Sequence, residues 1–112
     1  MLQKLSDSTD GTPIQITGTA TGTANDLHDS TANQFDRVTI DATNTSDTPV
    51  KLTIEWGSTG TANEIVQDIP ARATVRVVNA AMIGGDATVR TISAYAATGS
   101  VINVVGFVER NV

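Results

Sequence analysis

The stretch that decides the fold is Val50-Lys51-Leu52-Thr53-Ile54-Glu55-Trp56-Gly57. Val50, Leu52, Ile54 and Trp56 occupy every second position, with Lys51, Thr53 and Glu55 between them. A period of two belongs to an extended strand with one dry face and one wet face, and Gly57 ends it. The same alternation returns upstream: from Phe35 to Asn44, Val38, Ile40 and Ala42 face one way while Arg37, Thr39, Asp41 and Thr43 face the other. Between the two runs, Asn44-Thr45-Ser46-Asp47-Thr48-Pro49 is dense in turn formers, which predicts an antiparallel hairpin. Val38, Ile40, Val50, Leu52, Ile54 and Trp56 are therefore the expected core.

Downstream, 57–63 reads as a loop, and Ile65 to Ile69 as a short strand stopped by Pro70. Ala73, Val75 and Val77 mark the next strand, after which Ala80-Ala81-Met82-Ile83 leads into a tight turn at Gly84-Gly85-Asp86. Thr88 to Ala96 alternates again, and its pattern leaves open whether Val89, Thr91, Ser93 and Tyr95 or Arg90, Ile92, Ala94 and Ala96 form the dry face. Val101 to Val108 is almost wholly apolar, as for a central strand covered on both faces or one covered by another subunit. Gly106 within it marks a bulge or a close backbone approach. Upstream, Ile14 and Ile16 alternate in a short first strand. The small-residue tract from Gly18 to Ala24 suits a linker or, preferably, a flat edge strand anchored by Leu27. Residues 1–12 are polar after Leu5 and end in the turn Asp10-Gly11-Thr12-Pro13, which predicts an extended arm preceding a domain at 13–112. Seven or eight short strands without helical periodicity predict an all-β chain folded as a single, mainly antiparallel β-sandwich, of jelly-roll or immunoglobulin-like type.

A chain of 112 residues suits one domain. With 39% hydrophobic but only 4% aromatic residues, the core must be aliphatic and thin, so neighbours are expected to supply part of the stability. The net charge is −5 and the seven Lys and Arg are scattered, so the cationic footprint of a nucleic-acid binder is missing. The chain has no cysteine, which removes disulfides and thiolate metal sites. Met1 to Asp7 has no apolar signal core and no later run approaches spanning length, so a soluble protein made in a cytoplasm, without a membrane partner, is expected.

Reactive constellations are scarce. The only histidine, His28, lies in Asp26-Leu27-His28-Asp29. Carboxylates beside an imidazole are metal or hydrolytic chemistry, but such sites draw ligands from separated segments, so a solvated loop is expected. Gly57-Ser58-Thr59-Gly60 lacks the spacing of a nucleophile elbow. Asp7-Ser8-Thr9-Asp10-Gly11 resembles the start of a calcium loop without its third acidic ligand or its twelfth-position Glu, and reads as a polar turn. Asn44-Thr45-Ser46 matches a glycosylation acceptor but also reads as a turn. Gly84-Gly85 and Gly57 to Gly60 precede no helix, which phosphate cradling requires. Trp56 and Tyr95 would make a sugar-stacking platform if exposed, whereas the register of Trp56 places it in the core. No catalytic, cofactor-binding or metal-binding residue is expected, and no cofactor.

Ala42-Thr43-Asn44-Thr45-Ser46, Leu52-Thr53-Ile54-Glu55-Trp56-Gly57, Ile69-Pro70-Ala71, Gly84-Gly85 and Ile102-Asn103-Val104-Val105-Gly106 together resemble small virion structural proteins of tailed bacteriophages. The likeness spans about residues 38 to 108. It implies a non-enzymatic module repeated on a particle, such as a head decoration (cement) protein, or a component of a head fibre, neck or tail. The implied partners are other copies of the chain, as a symmetric homo-oligomer such as a trimer, and the major capsid protein or other virion proteins. The arm, the short first strand and the apolar C-terminal strand then supply the expected contacts: Leu2, Leu5, Ile14, Ile16, Val101, Val105 and Phe107. The competing expectation is a module whose loops, 57–63 and 79–86, read a host glycan or surface protein.

Overall fold

A computed structural model describes residues 1–111, so Val112, the last residue of the expected domain, lies outside the described residues. The alternating runs become strands: β1 (Leu2–Lys4), β2 (Ile14–Ile16), β3 (Asn25–Asp29), β4 (Phe35–Asn44), β5 (Val50–Trp56), β6 (Glu64–Ile69), β7 (Thr74–Gly84), β8 (Thr91–Ala96) and β9 (Ile102–Asn111). Single 3-10 turns at Thr21–Thr23 and Thr61–Asn63 lead into β3 and β6. One sheet runs β1-β9-β4-β7, with β2 also on β9, and the other runs β3-β8-β5-β6. All pairs are antiparallel. The pairs β2 with β9, β3 with β8, β4 with β7 and β5 with β6 are nested, so the chain is one long hairpin with its tip at 57–63, rolled into a sandwich. That order is the jelly roll, which decides between the two expected sandwich types. The Cα radius of gyration of 13.2 Å matches the roughly 13 Å of a single domain this size.

Inward positions follow the alternation. Val38, Ile40, Val50, Leu52 and Ile54 are buried as expected, together with Leu27, Ala42, Ile102, Val104 and Val108. On β8 the dry face is Ile92, Ala94 and Ala96. Trp56, at the end of β5, is half-buried and packs on the rim of this core.

Several expectations are corrected. β4 and β5 form no hairpin: β4 pairs β7 and β9, and β5 pairs β6 and β8 in the opposite sheet. Their dry faces meet across the core instead of lying side by side, an arrangement the alternation allows equally well. Asn44 pins the crossing. Its buried amide donates to the carbonyls of Thr48 (2.8 Å) and Ile69 (3.0 Å), and its side-chain oxygen accepts the Ser46 N–H (2.9 Å) and hydroxyl (2.7 Å). Residues 1–12 are stitched into the sandwich rather than standing off as an arm: β1 pairs β9, and Leu5 is wholly buried in the core. Gly18 to Ala24 is not an edge strand. The Asn25 side chain accepts the N–H groups of Thr17 (2.9 Å) and Gly18 (3.0 Å) and turns the chain into the first 3-10 helix. Gly106 marks a close approach, since a Cβ there would strike the Thr39 carbonyl while the β4–β9 register runs unbroken past it. In this sheet the register shifts lie instead between β4 and β7, where Ala80, at φ 56°, donates its N–H to the Thr39 hydroxyl (3.2 Å).

Candidate functional site

Because Ile102, Val104 and Val108 point into the core, pleating turns Val105, Phe107 and Glu109 outward. The register then assembles an outer face on the five-stranded sheet. Leu2 lies opposite Glu109, Glu109 opposite Arg37, and Arg37 opposite Met82, giving one row across four strands. In the next row Phe107 lies between Lys4 and Thr39, and in the third Val105 lies opposite Asp41. Leu2 is 70% exposed, Met82 55%, Phe35 44% and Phe107 42%. These are four of the seven large apolar residues exposed among the described residues; Met1 is the neighbouring terminus, and only Val66 and Val89 lie elsewhere. Asp41 is engaged by Arg76, whose guanidinium donates at 2.9 and 3.3 Å. Arg37 and Glu109 are both exposed and, among the described residues, neither takes part in an ion pair within the chain.

Of the residues expected at a subunit contact, Leu2, Val105 and Phe107 share this face. Ile14 is half-buried beside Val104 on the inward side, and Val101 packs against the core at the start of β9. Leu5 and Ile16 are wholly enclosed by the chain's own core and cannot meet a neighbour; both lie in the inward phase of their segments.

His28 is not in a solvated loop. It is fully buried on β3, turned inward by a bulge at Leu27. Its Nε2 lies 2.7 Å from Asp36 Oδ2, and its Nδ1 accepts the Ser6 N–H at 3.0 Å. An Nδ1 that accepts leaves the ring proton on Nε2, so the imidazole donates to Asp36. Arg110 donates to both oxygens of the same carboxylate, at 2.7 and 2.8 Å. Burial pushes the Asp36 carboxyl up, but the hydrogen bonds from Arg110 and His28 outweigh it and hold the group below its ordinary value. The cluster ties both chain ends to β3 and β4, since Met1 and Arg110 also exchange backbone hydrogen bonds at 2.9 Å. Sequence reading missed it although a signal was there: Asp36 stands in the dry phase of Val38, Ile40 and Ala42, and Arg110 in that of Val104 and Val108.

The outer face of the four-stranded sheet is polar. Glu55, 2% exposed, accepts the hydroxyls of Thr21 (3.0 Å) and Ser93 (3.2 Å), and Tyr95 donates to Glu64 (3.4 Å). Tyr95 therefore points away from the core while Trp56 packs on it, so the two rings share no platform. Around Asp7, burial and the carboxylates of Asp29 and Asp26 push its carboxyl up. Among the described residues no group of three or more His, Cys, Asp or Glu is arranged to hold a metal ion. The acceptor position Asn44 is buried with its amide engaged, as a turn and not as a glycan anchor. No family model, curated protein or solved structure matches the chain.

Proposed function

We propose that the protein is a non-enzymatic structural component of a bacteriophage virion, a head decoration or cement protein that binds the capsid shell as a homo-oligomer. The observation that supports this reading is the outer face of the five-stranded sheet, where Leu2, Phe35, Met82 and Phe107 are exposed together. Grouped apolar exposure of this kind marks a surface built to be covered by protein. The jelly roll is an architecture common in viral capsid domains; it is also found in lectins, so the fold supports the reading only by analogy. A glycan reader is the less favoured alternative, because Trp56 and Tyr95 lie on opposite sides of their sheet.

The test is to mix the purified protein with emptied phage heads of the virus that encodes it, then sediment the heads and count copies by imaging. Saturable binding at hundreds of copies per head is the expected result. Heads that carry none, or a protein that co-purifies with tails in a handful of copies, would overturn the decoration role.

A further inference from the structure

Along the row Leu2, Glu109, Arg37, Met82 the chemistry reads apolar, negative, positive, apolar. Such a row is its own complement. Let a second copy lie face to face on this sheet, related by a twofold axis in the interface plane that runs parallel to the strands between β9 and β4. The axis exchanges β9 with β4 and β1 with β7 while keeping rows level. Glu109 then meets Arg37 of the second copy, Arg37 meets its Glu109, and Leu2 and Met82 cover each other at both ends. In the next row Phe107 falls on Thr39 of the second copy. From these observations, and resting on the self-associating reading above, we infer that the partner for this face is a second copy of this chain, docked by two reciprocal Glu109–Arg37 pairs inside an apolar border.

Three features favour that occupant. The charges on Arg37 and Glu109 have opposite sign in mirror-related columns, and among the described residues neither takes part in an ion pair within the chain. The other outward carboxylate in the central columns, Asp41, is already neutralised by Arg76 and places no uncompensated charge at the contact. The size is compatible: three strands of ten or eleven residues about 4.8 Å apart, with the three-residue β1 and β2 beside β9, present a plane on the order of 550 Å² per copy, at the lower end of the roughly 600 to 1,000 Å² per partner of a standard interface. A twofold contact of this kind is isologous and closes at two copies, so the assembly is a dimer rather than the trimer expected from the resemblance.

Charge exchange tests the pairing. Sedimentation velocity over a concentration series should show a dimer for the native chain. Arg37→Glu or Glu109→Arg alone should weaken it roughly a hundredfold, by setting like charges against each other twice. The double variant Arg37→Glu/Glu109→Arg should dimerise again, and mixing the two single variants should give a heterodimer. Circular dichroism melting of each variant checks that the monomer stays folded. A native oligomer indifferent to both charges would overturn this face assignment while leaving self-association standing. A native chain that stays monomeric at high concentration would overturn both the face and the homo-oligomer, and head binding would then be judged separately.

Discussion

The two halves of the roll, 21–56 and 59–96, open with the same five residues, Thr21-Gly22-Thr23-Ala24-Asn25 and Thr59-Gly60-Thr61-Ala62-Asn63, and then take the same course. Each makes a 3-10 turn and a border strand of the four-stranded sheet, β3 or β6. Each then places a left-handed residue, Asn33 (φ 63°) or Arg72 (φ 57°), two positions before a long strand of the other sheet, β4 or β7. Each returns through an inner strand, β5 or β8. What they bury differs. In the first half His28 lies inward opposite Ile92, and Asp36 is the second residue of β4; in the second half Ile65 lies opposite Ile54, and Val75 is the second residue of β7.

The difference follows from neighbours. β4 is flanked by β9, which delivers Arg110 opposite Asp36, and the N-terminal segment delivers the Ser6 N–H to His28. The outer edge of β7 has no strand beside it among the described residues, so nothing there would satisfy a buried carboxylate. The jelly roll therefore does not require a polar core at this position. The polar cluster stands where the N-terminal segment and β9 close onto one half, and it desolvates three ionisable groups that satisfy one another there.

The largest effect comes from breaking the first half alone. Asp36→Ala leaves the Arg110 guanidinium and the His28 N–H unpartnered and should cost about 3 to 5 kcal/mol in urea unfolding. Rebuilding it in the image of the second half, with His28→Ile, Asp36→Val and Arg110→Leu together, should recover most of that loss. A triple variant as unstable as the single one would show that the halves are not interchangeable inside.

A pH series separates the same two designs. The Asp36 carboxyl sits lower when folded than its unfolded value of about 3.9. Its contribution is therefore fully present above that value and is lost as the pH falls through the lower folded one. The native chain should lose stability in that acid range by a step that the triple variant lacks. Asp7 has the opposite sign: its folded value is raised, so the ionised form is disfavoured at neutral pH. Asp7→Asn should raise the melting temperature at pH 7 and leave it unchanged well below pH 4; equal shifts at both would contradict the assignment.

The smallest effect concerns the long strands, for β7 bulges with extra residues where it pairs β4, whereas β4 runs in unbroken register against β9. Ala80 holds φ 56° there, a conformation in which its Cβ is crowded. Ala80→Gly should stabilise the fold by up to about 1 kcal/mol, the relief of that crowding less the added freedom of glycine in the unfolded chain. A loss of stability would mean that the methyl group packs more than it strains.

By itself the sequence determined where most strands run, which side of β4 and β5 is dry, and that the whole is a sandwich, because period-two alternation is a local property that each segment carries alone. It left the dry side of β8 open, did not mark β1, and suggested a strand at 18–24 where the chain makes a 3-10 turn. It also held two signals that went unread, the repeated Thr-Gly-Thr-Ala-Asn and the charged Asp36 in a dry phase. Only the tertiary structure decided that β4 and β5 lie in opposite sheets, that residues 1–12 belong to the core, and that His28, Asp36 and Arg110 meet. Strand partners here are chosen across the whole chain, with β1 closing on β9, and alternation is equally satisfied by a neighbour beside the strand or a sheet facing it. The row that joins Leu2, Glu109, Arg37 and Met82 has the same origin: four strands contribute one residue each, and register alone brings them level.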